Sequence, residues 1–166
     1  MGTQIFTYED VISYAVLIEQ RGAKLYTQAA EGANSEPAKN VLKFLAEQEK
    51  KHEKYFLKLK EEIQAGNKSK VNMDDETVGY LGALAKGEIF PESTAAFSKR
   101  FGTLKDVVAF GKQTEKDSIL FYNELLSLGW DEQTEEILRA IIKEEKKHLV
   151  QLTELDELVA ERDVFY

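Results

Sequence analysis

The strongest constraint on the fold of this chain is an internal repeat. The phrase EKKH occurs at residues 49–52 and again at 145–148, and the two copies contain both histidines of the chain. At this offset of 96 positions the surrounding segments align without a gap. The matched pairs include Thr7 with Thr103, Asp10 with Asp106, Val11 with Val107, Glu19 with Glu115, Tyr26 with Tyr122 and Leu42 with Leu138. Such a repeat indicates a duplicated structural unit that packs against its copy.

Each copy of the repeat predicts a helical hairpin. Its first helix starts at a threonine that is followed three positions later by an aspartate, an arrangement related to the capping box. Its second helix starts at Ser35 or Asp131, which are also favourable N-cap residues. Gly32 and Gly129 are the predicted ends of the first helices. We therefore predict one all-α domain over residues 1–166, with hairpin repeats at about 7–65 and 103–161.

Residues 67–102 connect the two hairpins. They predict one short helix within DDETVGYLGALAKG, followed by a segment in which Pro91 is a helix breaker. A connection of this length is able to carry the chain back along the bundle, so that the second hairpin starts at the opposite end. A four-helix bundle with one such crossover is the ferritin-like topology.

The second helix of each hairpin has two polar residues in its apolar seam. The seam positions are Ala38, Leu42, Leu45, Glu49, His52, Phe56, Leu59 and Ile63, and then Thr134, Leu138, Ile141, Glu145, His148, Leu152, Leu155 and Val159. In both seams the glutamate and histidine of EKKH are consecutive at mid-helix, and the intervening lysines point to solvent. Glu19 and Glu115 lie beside the seams of the first helices.

In an antiparallel bundle these six polar groups meet at one height in the core. Unpaired buried carboxylates would each cost several kcal/mol. Two divalent cations would balance the four negative charges, with two neutral imidazoles completing the ligand set. A single Glu-x-x-His is usually a solvated pair, but two copies in matched apolar seams predict a two-metal site.

Four other polar residues lie near this site. Tyr26 and Tyr122 lie two turns beyond Glu19 and Glu115 on the same faces, where they either pack in the core or support the ligands in catalysis. Gln48 and Glu144, four residues before each histidine, have the reach to hydrogen-bond an imidazole nitrogen, although we expect both to face solvent.

The set Glu19, Glu49-x-x-His52, Glu115 and Glu145-x-x-His148 resembles the di-iron site of the ferritin-like superfamily, most closely its rubrerythrin branch. The resemblance covers nearly the whole chain. It implies that Glu19 and Glu115 are terminal ligands, one per metal. It further implies that Glu49 and Glu145 bridge the metals, and that His52 and His148 each bind one. The expected cofactor is a pair of iron ions, with manganese as the alternative.

Three departures from that family pattern change the expectations. The chain has no cysteine, so it has no rubredoxin-like iron site, and electrons are expected from a separate partner. Ser118 occupies the place of an extra rubrerythrin glutamate, and Gly22 is its counterpart in the first copy. The ligand set is therefore symmetric and closer to that of bacterioferritin. The residue after Glu49 is Lys50 rather than methionine, so no haem is expected.

Charge and segment composition limit the partners and the location. The net charge of −8 argues against nucleic acid and anionic membranes as partners. The first residues, MGTQIFTYED, do not resemble a signal peptide, and no apolar run is long enough to span a membrane. We expect a cytoplasmic protein, and the family resemblance implies a homodimer.

The resulting functional prediction is a di-iron oxidoreductase that reduces hydrogen peroxide or dioxygen, with rubrerythrin-like peroxidase activity as a defence against oxidative stress. The small residues Gly22, Gly111 and Ser118 are expected to leave room for the oxidant. The first alternative is a ferroxidase or iron-handling protein built on the same centre. The second is a non-catalytic helical interaction module.

Overall fold

The structure is a computed structural model that describes residues 8–68, 73–85 and 94–159. Within these ranges the chain forms six helices and no strand. They are α1 (Tyr8–Gly32), α2 (Glu36–Gln64), α3 (Asp75–Ala85), α4 (Thr94–Arg100), α5 (Leu104–Leu126) and α6 (Glu132–Leu158). The pairs α1–α2 and α5–α6 each pack as a hairpin, and α1 contacts α5 while α2 contacts α6. The predicted all-α bundle of two hairpins is thus confirmed.

Side-chain caps start three of the long helices where the sequence predicts them. Ser35 Oγ accepts from the backbone N–H of Ala38 at 3.2 Å, and Asp131 accepts from the N–H of Thr134 at 3.0 Å. Thr103 forms a complete capping box with Asp106. The fourth predicted cap, Thr7, lies outside the described residues. Helix α1 ends at Gly32 as predicted, whereas α5 ends at Leu126. Gly129 lies in the following turn with φ of +85°, a conformation that favours glycine.

The described residues of the crossover contain two short helices rather than the one that was predicted. Helix α3 corresponds to the predicted one and buries Leu81 completely. Helix α4 is additional, and it was missed because seven residues are too few to show a helical period. Its Phe97 packs on Phe101 with ring centroids 5.1 Å apart, and Phe101 in turn packs on Phe110 of α5. These aromatic contacts fix the end of the crossover against the bundle. Pro91, the predicted breaker, lies outside the described residues.

The hydrophobic core is divided into two clusters by a layer of buried polar side chains. One cluster includes Leu25, Leu42, Val107 and Leu152, and the other includes Val11, Phe56, Phe121 and Leu138. Each long helix contributes residues to both clusters. The residues before its polar positions belong to one cluster, and those after them belong to the other. The polar layer therefore lies at mid-height in the bundle, where the sequence predicts it. Among the described residues, no helix is both long and apolar enough to cross a membrane.

Candidate metal centre

The buried polar layer brings together all six side chains that the sequence proposes as metal ligands. Each of them is at most 4% exposed: Glu19, Glu49, His52, Glu115, Glu145 and His148. Helices α1 and α5 supply one glutamate each, and α2 and α6 supply one Glu-x-x-His each. Because three residues span nearly one helical turn, the glutamate and histidine of each phrase share one face.

These six residues form two overlapping groups of potential ligand atoms, each within a span of 4.8 Å. One group contains Glu19, Glu49, His52 and Glu145, and the other contains Glu49, Glu115, Glu145 and His148. Glu49 and Glu145 belong to both groups, and the other four residues to one group each. This is the distribution expected for two bridging carboxylates, two terminal carboxylates and one histidine per metal.

Both histidines direct Nδ1 into the cluster. Nδ1 of His52 lies 2.8 Å from Oε1 of Glu145 and 3.4 Å from Oε2 of Glu19. Nδ1 of His148 lies 3.0 Å from Oε2 of Glu145 and 3.1 Å from Oε1 of Glu49. The two imidazole rings stack with centroids 5.8 Å apart. Nδ1 is therefore the nitrogen that each ring presents to a metal.

The far nitrogen of His52 contacts Glu144, one of the two residues that have the reach to hydrogen-bond an imidazole nitrogen. Nε2 of His52 and Oε2 of Glu144 are 2.6 Å apart, which joins α2 to α6. The Glu144 side chain is 44% exposed and that of His52 is 4% exposed, so Glu144 reaches from the surface to a buried ring. The expectation that Glu144 only faces solvent is wrong. The contact connects it to the histidine of the other hairpin, and spacing along one helix gives no signal for it.

The two tyrosines contact the terminal glutamates in a reciprocal way. Tyr26 of α1 donates its hydroxyl to Oε1 of Glu115 on α5 at 2.5 Å. Tyr122 of α5 donates its hydroxyl to Oε1 of Glu19 on α1. Burial raises the pKa of both phenols well above the ordinary value, and the neighbouring carboxylates add to the effect. Both phenols therefore keep their protons and hold the terminal carboxylates in place.

Burial and like charge act together on the carboxyl groups. Desolvation raises the pKa of Glu49 and of Glu115 well above the ordinary value, and the nearby Glu145 charge raises them further. Burial and the Glu19 charge also raise the pKa of Glu145. Burial lowers the pKa of His52, but the carboxylates of Glu145 and Glu19 outweigh it and raise that pKa to about 11. For His148 burial prevails and lowers the pKa.

The arrangement of polar atoms fits a pair of divalent cations. Four buried ligand atoms make no hydrogen bond of suitable geometry, although two of them, His52 Nδ1 and Glu145 Oε1, lie 2.8 Å apart; the other two are Glu19 Oε2 and Glu49 Oε1. Buried polar atoms are normally satisfied, so a cluster of unsatisfied atoms that all face one another indicates an absent partner. A metal ion is the partner that accepts electron pairs from carboxylate oxygens and imidazole nitrogens together. The oxygen and nitrogen donor set suits iron or manganese.

Gly22 and Gly111 do not open the space that was expected for an oxidant. A Cβ atom at Gly22 would lie 2.7 Å from Oε2 of Glu49, and one at Gly111 would lie 3.2 Å from the Tyr26 hydroxyl. Ser118 donates its hydroxyl to the Thr114 carbonyl of its own helix at 2.9 Å. Protein side chains thus fill the space at both glycines, which permits the close approach of Glu49 and Tyr26.

Comparisons with known proteins agree with this geometry. The family model described as Rubrerythrin matches residues 10–155 of the chain. A crystal structure of a candidate ferritin-like diiron-carboxylate protein from Thermotoga maritima superposes with a TM-score of 0.71 at 26% sequence identity. The alignment covers 94% of this chain and 98% of that one. Among curated proteins, no sequence matches this chain significantly.

Proposed function

The chain belongs to the rubrerythrin family, and from this we propose that it is an oxidoreductase that reduces hydrogen peroxide or dioxygen at two iron ions. The observation that carries the proposal is the pair of overlapping ligand groups that share Glu49 and Glu145. Two metals held by shared carboxylates lie close enough to act on both oxygen atoms of one oxidant molecule.

The ligand roles follow from membership of the two groups. Glu49 and Glu145 would bridge the ions. Glu19 and His52 would complete one position, and Glu115 and His148 the other. Two bound ferrous ions would supply two electrons together, which with two protons convert peroxide to two waters. Iron is preferred over manganese in this proposal because the reaction needs a readily oxidised pair.

The remaining residues of the site would control protons and water. The hydroxyls of Tyr26 and Tyr122 keep their protons and orient the carboxylates of Glu115 and Glu19. The apolar clusters above and below the ligand layer keep bulk water out of the bundle. A dry site strengthens the interactions between its charges and limits side reactions of a reduced centre.

Electrons would come from a separate donor, since the chain has no cysteine for an iron–thiolate centre. We further propose that the protein acts as a homodimer in the cytoplasm and contributes to defence against oxidative stress. Gel filtration with light scattering tests the dimer. A large multi-subunit shell would contradict it and would support iron storage.

The proposed reaction is tested with protein loaded with ferrous iron under anaerobic conditions. It is mixed separately with hydrogen peroxide and with dioxygen, and the ultraviolet absorption of ferric iron is followed. We expect faster oxidation by peroxide. Glu115→Ala should remove the fast phase, whereas Glu136→Ala, an exposed residue of α6, should retain it. Equal rates in Glu115→Ala and the parent protein would exclude this centre from the reaction.

A ferroxidase is the alternative that one observation favours. Ser118 bonds its own helix and supplies no additional carboxylate, so the ligand set has two-fold symmetry. A centre of this kind would oxidise ferrous iron with dioxygen and then release it. Continued consumption of ferrous iron beyond two ions per chain, with dioxygen faster than peroxide, would support this alternative.

A further inference from the structure

The two halves of the proposed centre differ outside the ligand set. The six ligands repeat at the offset of 96 positions, and so do the two tyrosines that contact the terminal glutamates. The residue that precedes the bridging glutamate does not repeat, because it is Gln48 in α2 and Glu144 in α6. The chain is therefore symmetric in its ligands but not in the residues that support them.

Glu144 supports only one of the two histidines. Its Oε2 lies 2.6 Å from Nε2 of His52, a short distance typical of a hydrogen bond to a charged group. When Nδ1 of His52 binds a metal, Nε2 carries the proton and donates it to this carboxylate. Within the described part of the chain, no side chain forms the matching hydrogen bond to Nε2 of His148, the place where repeat symmetry would put Gln48.

The geometry points to Glu144 as a positioning residue that makes the metal position of Glu19 and His52 bind more tightly than that of Glu115 and His148. This inference rests on the proposed two-metal site and adds an order of filling to it. A carboxylate behind a metal-bound imidazole fixes the ring orientation and raises the basicity of the ligand nitrogen. Loss of such a partner typically weakens metal binding roughly 10- to 100-fold.

Glu144 is also placed where its removal leaves the ligands themselves intact. Its side chain is 44% exposed, whereas the ligands lie in the buried layer. The substitution Glu144→Gln keeps the size of the side chain and removes its negative charge. Glu136→Gln is the matched control, because it removes the same charge from an exposed site on the same helix.

The test is stepwise binding of Co²⁺ to the metal-free full chain, followed by calorimetry and by the visible absorption of bound cobalt. We expect two resolved steps in the parent protein. His52→Ala should remove the tighter step and His148→Ala the weaker one. Glu144→Gln should weaken the tighter step roughly 10- to 100-fold and leave the weaker step unchanged, and Glu136→Gln should change neither.

The reverse substitution gives an independent test that does not depend on loss of function. Gln48→Glu should strengthen the weaker step and bring the two cobalt-binding constants together.

In proton NMR spectra of the cobalt-loaded protein, one imidazole N–H should exchange slowly with solvent. That signal should be lost in Glu144→Gln, which a merely structural role of Glu144 would not predict.

The outcomes separate this inference from the proposed function. Two equal binding steps in the parent protein, or an unchanged tighter step in Glu144→Gln, would overturn the inference and leave the di-metal function standing. A third outcome is two unequal steps that respond to Glu144→Gln, while neither peroxide nor dioxygen oxidises the iron-loaded protein. That outcome would support the inference and overturn the proposed function. Absence of any cobalt binding would overturn both.

Discussion

Gly22 lies against the carboxylate of Glu49, and a Cβ atom there would stand 2.7 Å from Oε2. That distance is too short for a contact, so any larger residue must displace its neighbour. The displaced atom is Oε2, at the end of the flexible Glu49 side chain. We therefore expect the carboxylate to move and the backbone of α1 to stay in place. At this position the lack of a side chain determines where a proposed bridging ligand lies.

We predict that Gly22→Ala separates stability from metal binding. Alanine is favoured over glycine within a helix by about 1 kcal/mol, so the metal-free protein should gain a similar amount in free energy of unfolding. Affinity for Fe²⁺ or Co²⁺ should fall, because Glu49 is displaced. Urea unfolding with chelator and calorimetric titration measure the two effects. The control is Gly82→Ala in α3, where a Cβ meets nothing within 4 Å. Gly82→Ala should stabilise the protein and leave its metal affinity unchanged. If Gly22→Ala also left the metal affinity unchanged, the argument about Glu49 would be contradicted.

The tyrosine hydroxyls give a second prediction for single residues. Tyr122→Phe removes the donor to Oε1 of Glu19, whose Oε2 already has no hydrogen-bond partner. Loss of a hydroxyl donor to a buried carboxyl group should cost about 1–3 kcal/mol in free energy of unfolding. Tyr26→Phe should cost a similar amount through Glu115. Chemical denaturation of the metal-free proteins measures both, with the exposed Tyr80→Phe as control. Equal stability of all three variants would show that the phenols only pack.

At the scale of helices, the start of α5 depends on one capping box. Thr103 Oγ1 accepts from the N–H of Asp106 at 3.1 Å, and Asp106 Oδ2 accepts from the N–H of Thr103 at 2.9 Å. These two bonds satisfy backbone donors that the first helical turn leaves free. Helix α5 follows the crossover and carries Glu115. The residue at which α5 begins therefore also determines where Glu115 lies along the bundle.

We predict that Thr103→Ala lowers the free energy of unfolding by about 0.5–2 kcal/mol. Thr103→Ser retains the hydroxyl and should lower it much less. Urea unfolding monitored by circular dichroism measures both variants. A loss in the serine variant as large as that in the alanine variant would show that the methyl group, and not the cap, is responsible.

Local sequence signals were sufficient for the long helices because each has its own start and period. Each cap bonds a backbone N–H within one turn of the helix that it starts, so the neighbouring residues in the sequence predict it. These caps are Ser35, Thr103 and Asp131. Helix α4 has too few residues for a period, and its Phe97 is buried in the same apolar cluster as Leu25, Leu42 and Leu152, which lie far from it in the sequence. A contact of this kind leaves no local pattern.

The same distinction applies to the metal centre. The repeat places Glu49, His52, Glu145 and His148 in matched seams, so the sequence alone predicts that they meet. The contact between Glu144 and His52 joins residues 92 positions apart on different helices. It depends on how α2 packs against α6. Spacing along α6 relates Glu144 to His148 of the same helix and not to His52 of α2. The filling of the space at Gly22 by Glu49 is likewise a result of packing.

At the scale of the whole molecule, a charged layer separates two apolar clusters, and its protonation links stability to pH. Folding raises the pKa of Glu49, Glu115 and Glu145 above 4.5, and that of His52 from 6.5 to about 11. Groups with a raised pKa retain protons in the folded state that the unfolded chain releases. Their stabilisation is complete below the unfolded pKa and is lost as pH rises towards the folded one. His148, whose pKa is lowered, opposes this trend below about 6.5.

We therefore predict that the metal-free protein becomes less stable as pH rises between about 5 and 8, by roughly 1.4 kcal/mol per pH unit for each proton retained. Bound metal takes the place of these protons, so the metal-loaded protein should depend less on pH. The gap in melting temperature between the two forms should widen as pH rises. Thermal unfolding with Co²⁺ or with chelator across this range measures it. A gap that is constant with pH would mean that metal and protons do not compete for the buried layer, and would contradict the assignment of these carboxylates as ligands.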